Sequence, residues 1–188
     1  MKTAIAHLKS AAPYSQSRYI DPTETPKLEK ENSSDYEKRV WRKRLHSTED
    51  GFVFIPPTAF KNCLSEAAKF LSLQIPGKGK ATYTKHFEAG VLVVEPLILP
   101  IKAEAVDCQK LFLPSTGVRG DGKRVVKFMP FIPNWAGKVE FVVMDETVTE
   151  EVFTKVLTEA GKFIGIGTFR PRNNGYFGRF DVVKVEWK

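Results

Sequence analysis

From Phe60 to Leu71 the chain carries an apolar stripe that is buried by laying a helix on a sheet. Phe60, Cys63, Leu64, Ala67, Ala68 and Leu71 recur at the three- and four-residue spacing of one helical face. Pro57 or Thr58 opens this helix, because a proline at the first helical position lacks only an amide hydrogen that would be unpaired anyway. The flanking segments supply strands. In residues 3–9 (TAIAHLK), Ala4, Ala6 and Leu8 alternate with Thr3, Ile5 and His7. Phe52–Ile55 is a short apolar strand stopped by Pro56 and Pro57.

Further along, GVLVVEPLILP from Gly90 reads as a β segment interrupted at Pro96, and residues 100–123 read as irregular. Val125–Phe131 reads as a short core strand, and WAGKVEFVVMD continues into a strand with Val139, Phe141 and Val143 on one face. Thr147 and Glu150 have the T-x-x-E spacing of a capping box. Phe153, Val156, Leu157 and Ala160 give a second helical stripe, with Gly161 as its stop, and Phe180–Trp187 is a last strand. The order strand, helix, strand, strand, helix, strand predicts an α+β fold with a ferredoxin-like or RRM-like βαββαβ core. The expected organisation is a single domain over residues 1–188, with long insertions after the first strand (about 10–50) and the first helix (about 76–123).

The first insertion is polar, and Pro13, Pro22 and Pro26 favour extended chain. Asp35–Leu45 has the pattern of a short helix turning Tyr36, Val40, Trp41 and Leu45 inward. Five of the seven residues from Lys38 to Arg44 are basic, which suits a solvated helix face or a contact with a phosphate backbone equally well.

The segment FIGIGTFRPRNNGYFGRFDVV, Phe163 to Val183, gathers Gly165, Gly167, Gly175 and Gly178 with Arg170, Arg172 and Arg179 among five aromatic rings. Glycine lets a backbone take positive φ and approach a phosphate. Arginine forks bind phosphates, and rings stack bases. The composition fits a nucleic-acid clamp or a plain Gly-rich hairpin with buried rings. Phe163 and Phe180 are expected in the core, with Tyr176 and Phe177 divided between core and surface.

A formal net charge of +7 points to a polyanionic partner, and 42% hydrophobic residues suffice for a core. No run is long enough to span a membrane and Lys9 falls where a signal peptide would be apolar, so a cytoplasmic protein is expected. Cys63 and Cys108 are expected as reduced thiols. His7, His46 and His86 lie in unrelated segments, no metal-ligand spacing occurs, and no metal or other cofactor is expected. His7 reads as a partly buried strand histidine, and Asp21, before Pro22, as a turn residue.

With these landmarks in order, FIPPTAFKNCLSEAAKFL resembles the IP-x-S-x-K-x-x-L segment that opens the first helix in the RAMP superfamily, the RRM-like proteins of CRISPR effector complexes. Pro57 and Thr58 stand where that motif has Gly and Ser. GIGTFRPRNNGYFGRF sits where those proteins keep a glycine-rich loop, between the last helix and the final strand. The resemblance is nearest to the backbone subunits that line a guide RNA, and it implies RNA or single-stranded nucleic-acid binding. It also implies assembly as a homo-oligomer along the strand or in a larger ribonucleoprotein. Some such subunits cleave RNA with an aspartate after the first strand, where Asp21 lies. VVKFMPFIPNWAGKVEFVVMDE and AGKFIGIGTFRP also resemble uncharacterised phage and prophage proteins. That implies the alternative of a phage protein binding single-stranded DNA or a host protein.

The expected reading is therefore a non-enzymatic binding protein. Its expected phosphate contacts are Lys9, Arg18, Lys61, Lys78, Lys80, Arg119, Lys123, Arg170, Arg172 and Arg179. Stacking is expected from among Tyr83, Phe169, Tyr176 and Phe177, some of these rings belonging to the core instead, and Gly165, Gly167 and Gly175 shape the loop. Because the strands lack the RNP aromatic signature, the expected site lies on the loops and not on the sheet face.

Overall fold

In the computed structural model, which describes residues 1–115 and 122–188, strand β1 (Lys2–Ser10) occupies an interior position of a four-stranded sheet. Its inward residues Ala4, Ala6 and Leu8 are buried, and the two alanines let helices lie close over the sheet. The chain continues through α1 (Ser33–Val40), β2 (Phe52–Ile55), α2 (Pro57–Leu71) and α3 (Thr84–Gly90). Strands β3 (Val91–Val93), β4 (Leu97–Lys102), β5 (Asp107–Pro114), β6 (Arg124–Phe131) and β7 (Ala136–Val143) follow, then α4 (Glu150–Glu159) and β8 (Phe180–Trp187).

The sheet runs β3-β7-β1-β8 with antiparallel neighbours throughout. Its strands and the helices packed on it come in the chain order β1, α2, β3, β7, α4, β8. Read across the sheet from β8, these are the fourth, first, third and second strands, the ferredoxin-like α+β arrangement. The two predicted stripes meet on one face. Phe60, Cys63, Leu64, Ala67 and Ala68 of α2 and Phe153, Val156 and Leu157 of α4 are buried. Each large side chain so buried stabilises the fold by about 1.5–3 kcal/mol. Phe153 meets Phe141 of β7 edge-on at 5.2 Å and Trp187 of β8 at 5.7 Å.

The register places Ile5, His7 and Lys9 on the other face, with Lys138 and Glu140 of β7 and Lys184 and Glu186 of β8. His7 is half-buried there, its Nε2 3.0 Å from Glu186 Oε1, as its strand position suggests. The strand aromatics Phe141, Phe180 and Trp187 all lie on the helix side. Among the described residues, the strands therefore offer no Phe, Tyr or Trp ring to a base on this face.

Several boundaries differ from the sequence reading. Pro96 divides GVLVVEPLILP between two sheets, since β3 joins the main one whereas β4 pairs with β2. Residues 100–115 are ordered, through β4, a 3-10 turn at Ala103–Ala105, and β5. Val125–Phe131 is no strand of the main sheet. It belongs to β6, which pairs with β5 in a separate hairpin, and β3 takes the place of second core strand. Thr149, rather than Thr147, caps α4, its side chain accepting from the Val152 amide at 3.4 Å, while Thr147 donates its amide to Asp145 Oδ1. Gly161 does not end that helix. The chain continues through a π turn, Ala160–Ile164, and stops at Gly165, whose φ of 72° a side chain would strain. Gly161 is glycine because a Cβ there would collide with the Phe180 carbonyl.

Helix α1 is capped by Asn32, whose Oδ1 accepts from the Ser34 and Asp35 amides at 2.9 and 3.0 Å. Val40, Trp41 and Leu45 are buried as predicted, but Tyr36 is only half-buried and Glu37 takes the inward position. The Glu37 carboxylate accepts from Arg44 at 2.8 Å and from Lys127 of β6. A buried acid with two cations thus pins the β5–β6 hairpin to the first insertion.

Candidate nucleic-acid interface

The Gly-rich loop is held from within. The Ile166 amide donates to the Gly178 carbonyl, Gly178 to Pro13, Thr168 to Ser15, Gly175 to Arg170 and Gly165 to Ala160, all within 2.7–2.9 Å. The amides of Gly165, Gly175 and Gly178 are therefore committed to the protein, and these glycines serve shape. At Gly178, φ is 80° and a Cβ would overlap the Ile166 carbonyl. Gly167 lies against Ser15 and Tyr14, and Gly175 against the Phe169 backbone. Phe169 and Asn174 also have positive φ, 53° and 59°, a conformation that is costly for side-chain-bearing residues.

Three clefts follow one another around this loop. The first, about 490 Å³, lies between the loop and the β5–β6 hairpin, with Phe112, Met129 and Arg124 facing Phe169, Asn173 and Asn174. Phe112 is 58% exposed and the Arg124 guanidinium lies 5.7 Å from its ring centre. The second, about 340 Å³, shares Thr168 with the first and runs past His46, Thr58, Asn62, Gly167 and Arg170. The third, about 480 Å³, shares Asn62 with the second and follows α2 through Ser65, Glu66 and Lys69 to Phe70 and Arg172.

The cations of the loop are oriented by protein partners. Glu66 of α2 receives Arg170 and Arg172, each at 2.9 Å. Arg179 donates to the carbonyls of Lys162 and Tyr176. Burial, and after it the charge of Arg18, holds His46 below the ordinary histidine range at the second cleft. The buried Gln16 amide lies 3.2 Å from the Tyr14 hydroxyl. Oriented to satisfy both of its ends, it donates to the Phe54 carbonyl and accepts from the His46 amide.

The other expected contacts are scattered. Lys9 sits at the end of β1, 3.9 Å from Asp181, and lines a separate cleft with Pro100 and Asn134. Lys61 donates to Ser65 Oγ and to the carbonyls of Phe87 and Glu88, so its ammonium ties α2 to α3, and burial lowers its pKa. Lys78 and Lys80 are exposed on the turn between α2 and α3. Arg18 is exposed on the first insertion and Lys123 at the turn end of the hairpin, where its carbonyl accepts from the Ser115 amide. Arg119 lies outside the described residues. Asp21 accepts from the amide and hydroxyl of Thr23 at 2.8 and 2.7 Å, an Asx turn, as its place before Pro22 suggests.

The rings divide differently from expectation in two cases. Phe163 is 50% exposed, because it leaves the π turn on the outer side, and Tyr83 is buried against α2 and cannot stack a base. Phe180 is buried, Phe177 is buried, Tyr176 is exposed and Phe169 is partly exposed. Sequence reasoning missed Phe112, Asn62 and Phe70. For Phe112 the signal was present: two apolar runs, Leu111–Leu113 and Val125–Phe128, separated by a Gly-rich stretch, are a hairpin pattern.

No protein-family model and no curated protein matches this sequence. Among solved structures the chain is similar to the crystal structure of Cmr6 from Pyrococcus furiosus, at 14% identity and a TM-score of 0.48. The match covers 97% of this chain and 99% of that one.

Proposed function

We propose that this protein binds single-stranded nucleic acid, RNA foremost, in the clefts that surround the Gly-rich loop. The strand is held without being cleaved. The observation that carries the reading is the adjacency of the three clefts, which share Thr168 and Asn62 in their walls, with exposed rings and guanidinium groups along them. Phe112 and Phe169 offer faces to bases, while Arg124, Arg170 and Arg172 offer forks to phosphates. The lack of Phe, Tyr and Trp on the strands' open face, among the described residues, supports a loop-borne site. The net charge of +7 supplies long-range attraction.

Such a site takes hold of the backbone and of base faces, so its affinity depends steeply on salt and weakly on sequence. Copies packed side by side along one strand, as the RAMP resemblance implies, would make a continuous groove. Arg170→Ala combined with Arg172→Ala tests the reading, because both pairs with Glu66 keep contact with solvent, that of Arg172 more than that of Arg170, and their loss removes little stability. The double variant should stay folded and bind a fluorescent oligouridylate more weakly at physiological salt, with a shallower salt dependence. Equal affinity of the variant and the parent protein would remove the loop from the interface.

A further inference from the structure

The groove along α2 ends at Phe70, whose ring touches that of Phe163 beyond it, and the core uses neither. Phe70, in the last turn of α2, and Phe163, in the π turn after α4, are 52% and 50% exposed. Their centroids lie 5.9 Å apart with the planes tilted by 36°. Half-exposed phenyl rings in mutual contact leave a joined apolar surface against water. The Arg172 guanidinium lies 6.0 Å from the Phe70 ring centre, and Lys69 lines the same cleft. Of the nearby carboxylates, Glu66 is paired with Arg170 and Arg172, and Glu159 with Lys162. Glu88 also lines the cleft.

We propose that Phe70 and Phe163 form a stacking platform for an unpaired base where the bound strand leaves the groove, with Lys69 and Arg172 meeting its phosphates. The proposal rests on the single-strand reading above and extends it to the start of the Gly-rich segment and the end of α2. Two features favour a base over an apolar peptide anchor: the cations beside the rings, and the next cleft beginning at the shared wall residue Asn62. A ring face accepts any base, so the platform adds affinity with little sequence preference.

Binding of a fluorescein-labelled oligouridylate to Phe70→Ala, Phe163→Ser and Phe163→Tyr, compared with the parent protein, tests this. The first two should each weaken binding roughly tenfold, and Phe163→Tyr, which keeps a ring, should bind as the parent does. An oligouridylate ending in 5-iodouridine should photo-crosslink to peptides containing Phe70 or Phe163. If the parent protein binds while Phe70→Ala and Phe163→Ser bind equally well, or if crosslinks map only to the hairpin cleft, the platform is overturned and the single-strand reading stands. If the parent protein shows no salt-dependent binding, the single-strand reading itself fails, and the platform with it.

Discussion

Arg172 reaches Glu66 at 2.9 Å across 106 positions of sequence, tying the Gly-rich loop to the middle of α2. Arg170 meets the other oxygen of the same carboxylate. In the free protein, therefore, one acid occupies the two forks that a phosphate would need.

That geometry makes Glu66 a competitor for the strand. Glu66→Gln removes the competing charge while keeping the size of the side chain, and should tighten oligouridylate binding severalfold at low salt. Each additional phosphate contact should steepen the salt dependence by about 0.7 in log–log slope. Weaker binding by this variant would show that Glu66 presents the arginines to the strand and does not withhold them.

The loop's conformation depends on glycine at one tight crossing. Gly178→Ala adds a methyl group against the Ile166 carbonyl at a φ of 80°. The expected cost is on the order of 2 kcal/mol, combining positive-φ strain with the clash. The melting temperature should fall by roughly 4–8 °C for a chain of this size. An unchanged melting curve would mean that this crossing opens freely.

Within the first insertion, Arg39 donates two hydrogen bonds of 2.8 Å to Glu31 and a third to the Pro26 carbonyl. The side-chain hydrogen bond from Arg39 is the chief cause holding the Glu31 carboxyl at about 2, against an ordinary 4.5. Because the folded value is depressed, stability from this pair is complete above about pH 4.5 and is lost as the pH falls toward 2. The carboxyl carbon resonance of Glu31 should titrate near the lower value. A midpoint at the ordinary value would show that the pair does not form in solution.

The two thiols should behave in opposite ways. Cys63 is buried in α2 with its Sγ 3.6 Å from the Ala160 carbonyl, and burial pushes its pKa up to about 12, whereas Cys108 is exposed on β5. Ellman's reagent should titrate Cys108 in the native protein and reach Cys63 only after denaturation. Rapid labelling of both would contradict the packing of α2 against the turn after α4.

The sequence by itself determined the parts of this protein that depend on periodicity. The stripes Phe60–Leu71 and Phe153–Ala160, the alternation in Thr3–Lys9 and the run Val139–Val143 recur at spacings that only helices and half-buried strands satisfy, and they fixed the α+β core. The Gly-rich loop was legible for the same reason: its glycines are local demands on φ and on space. Only the tertiary structure decided what lies beside what. It put Phe112 across from Phe169, gave Arg170 and Arg172 to Glu66, committed Lys61 to carbonyls of α3, and left Phe163 outside beside Phe70. Those partners come from distant parts of the chain, and whether a ring is buried or a cation paired depends on the residues folding brings against it. No local spacing records them.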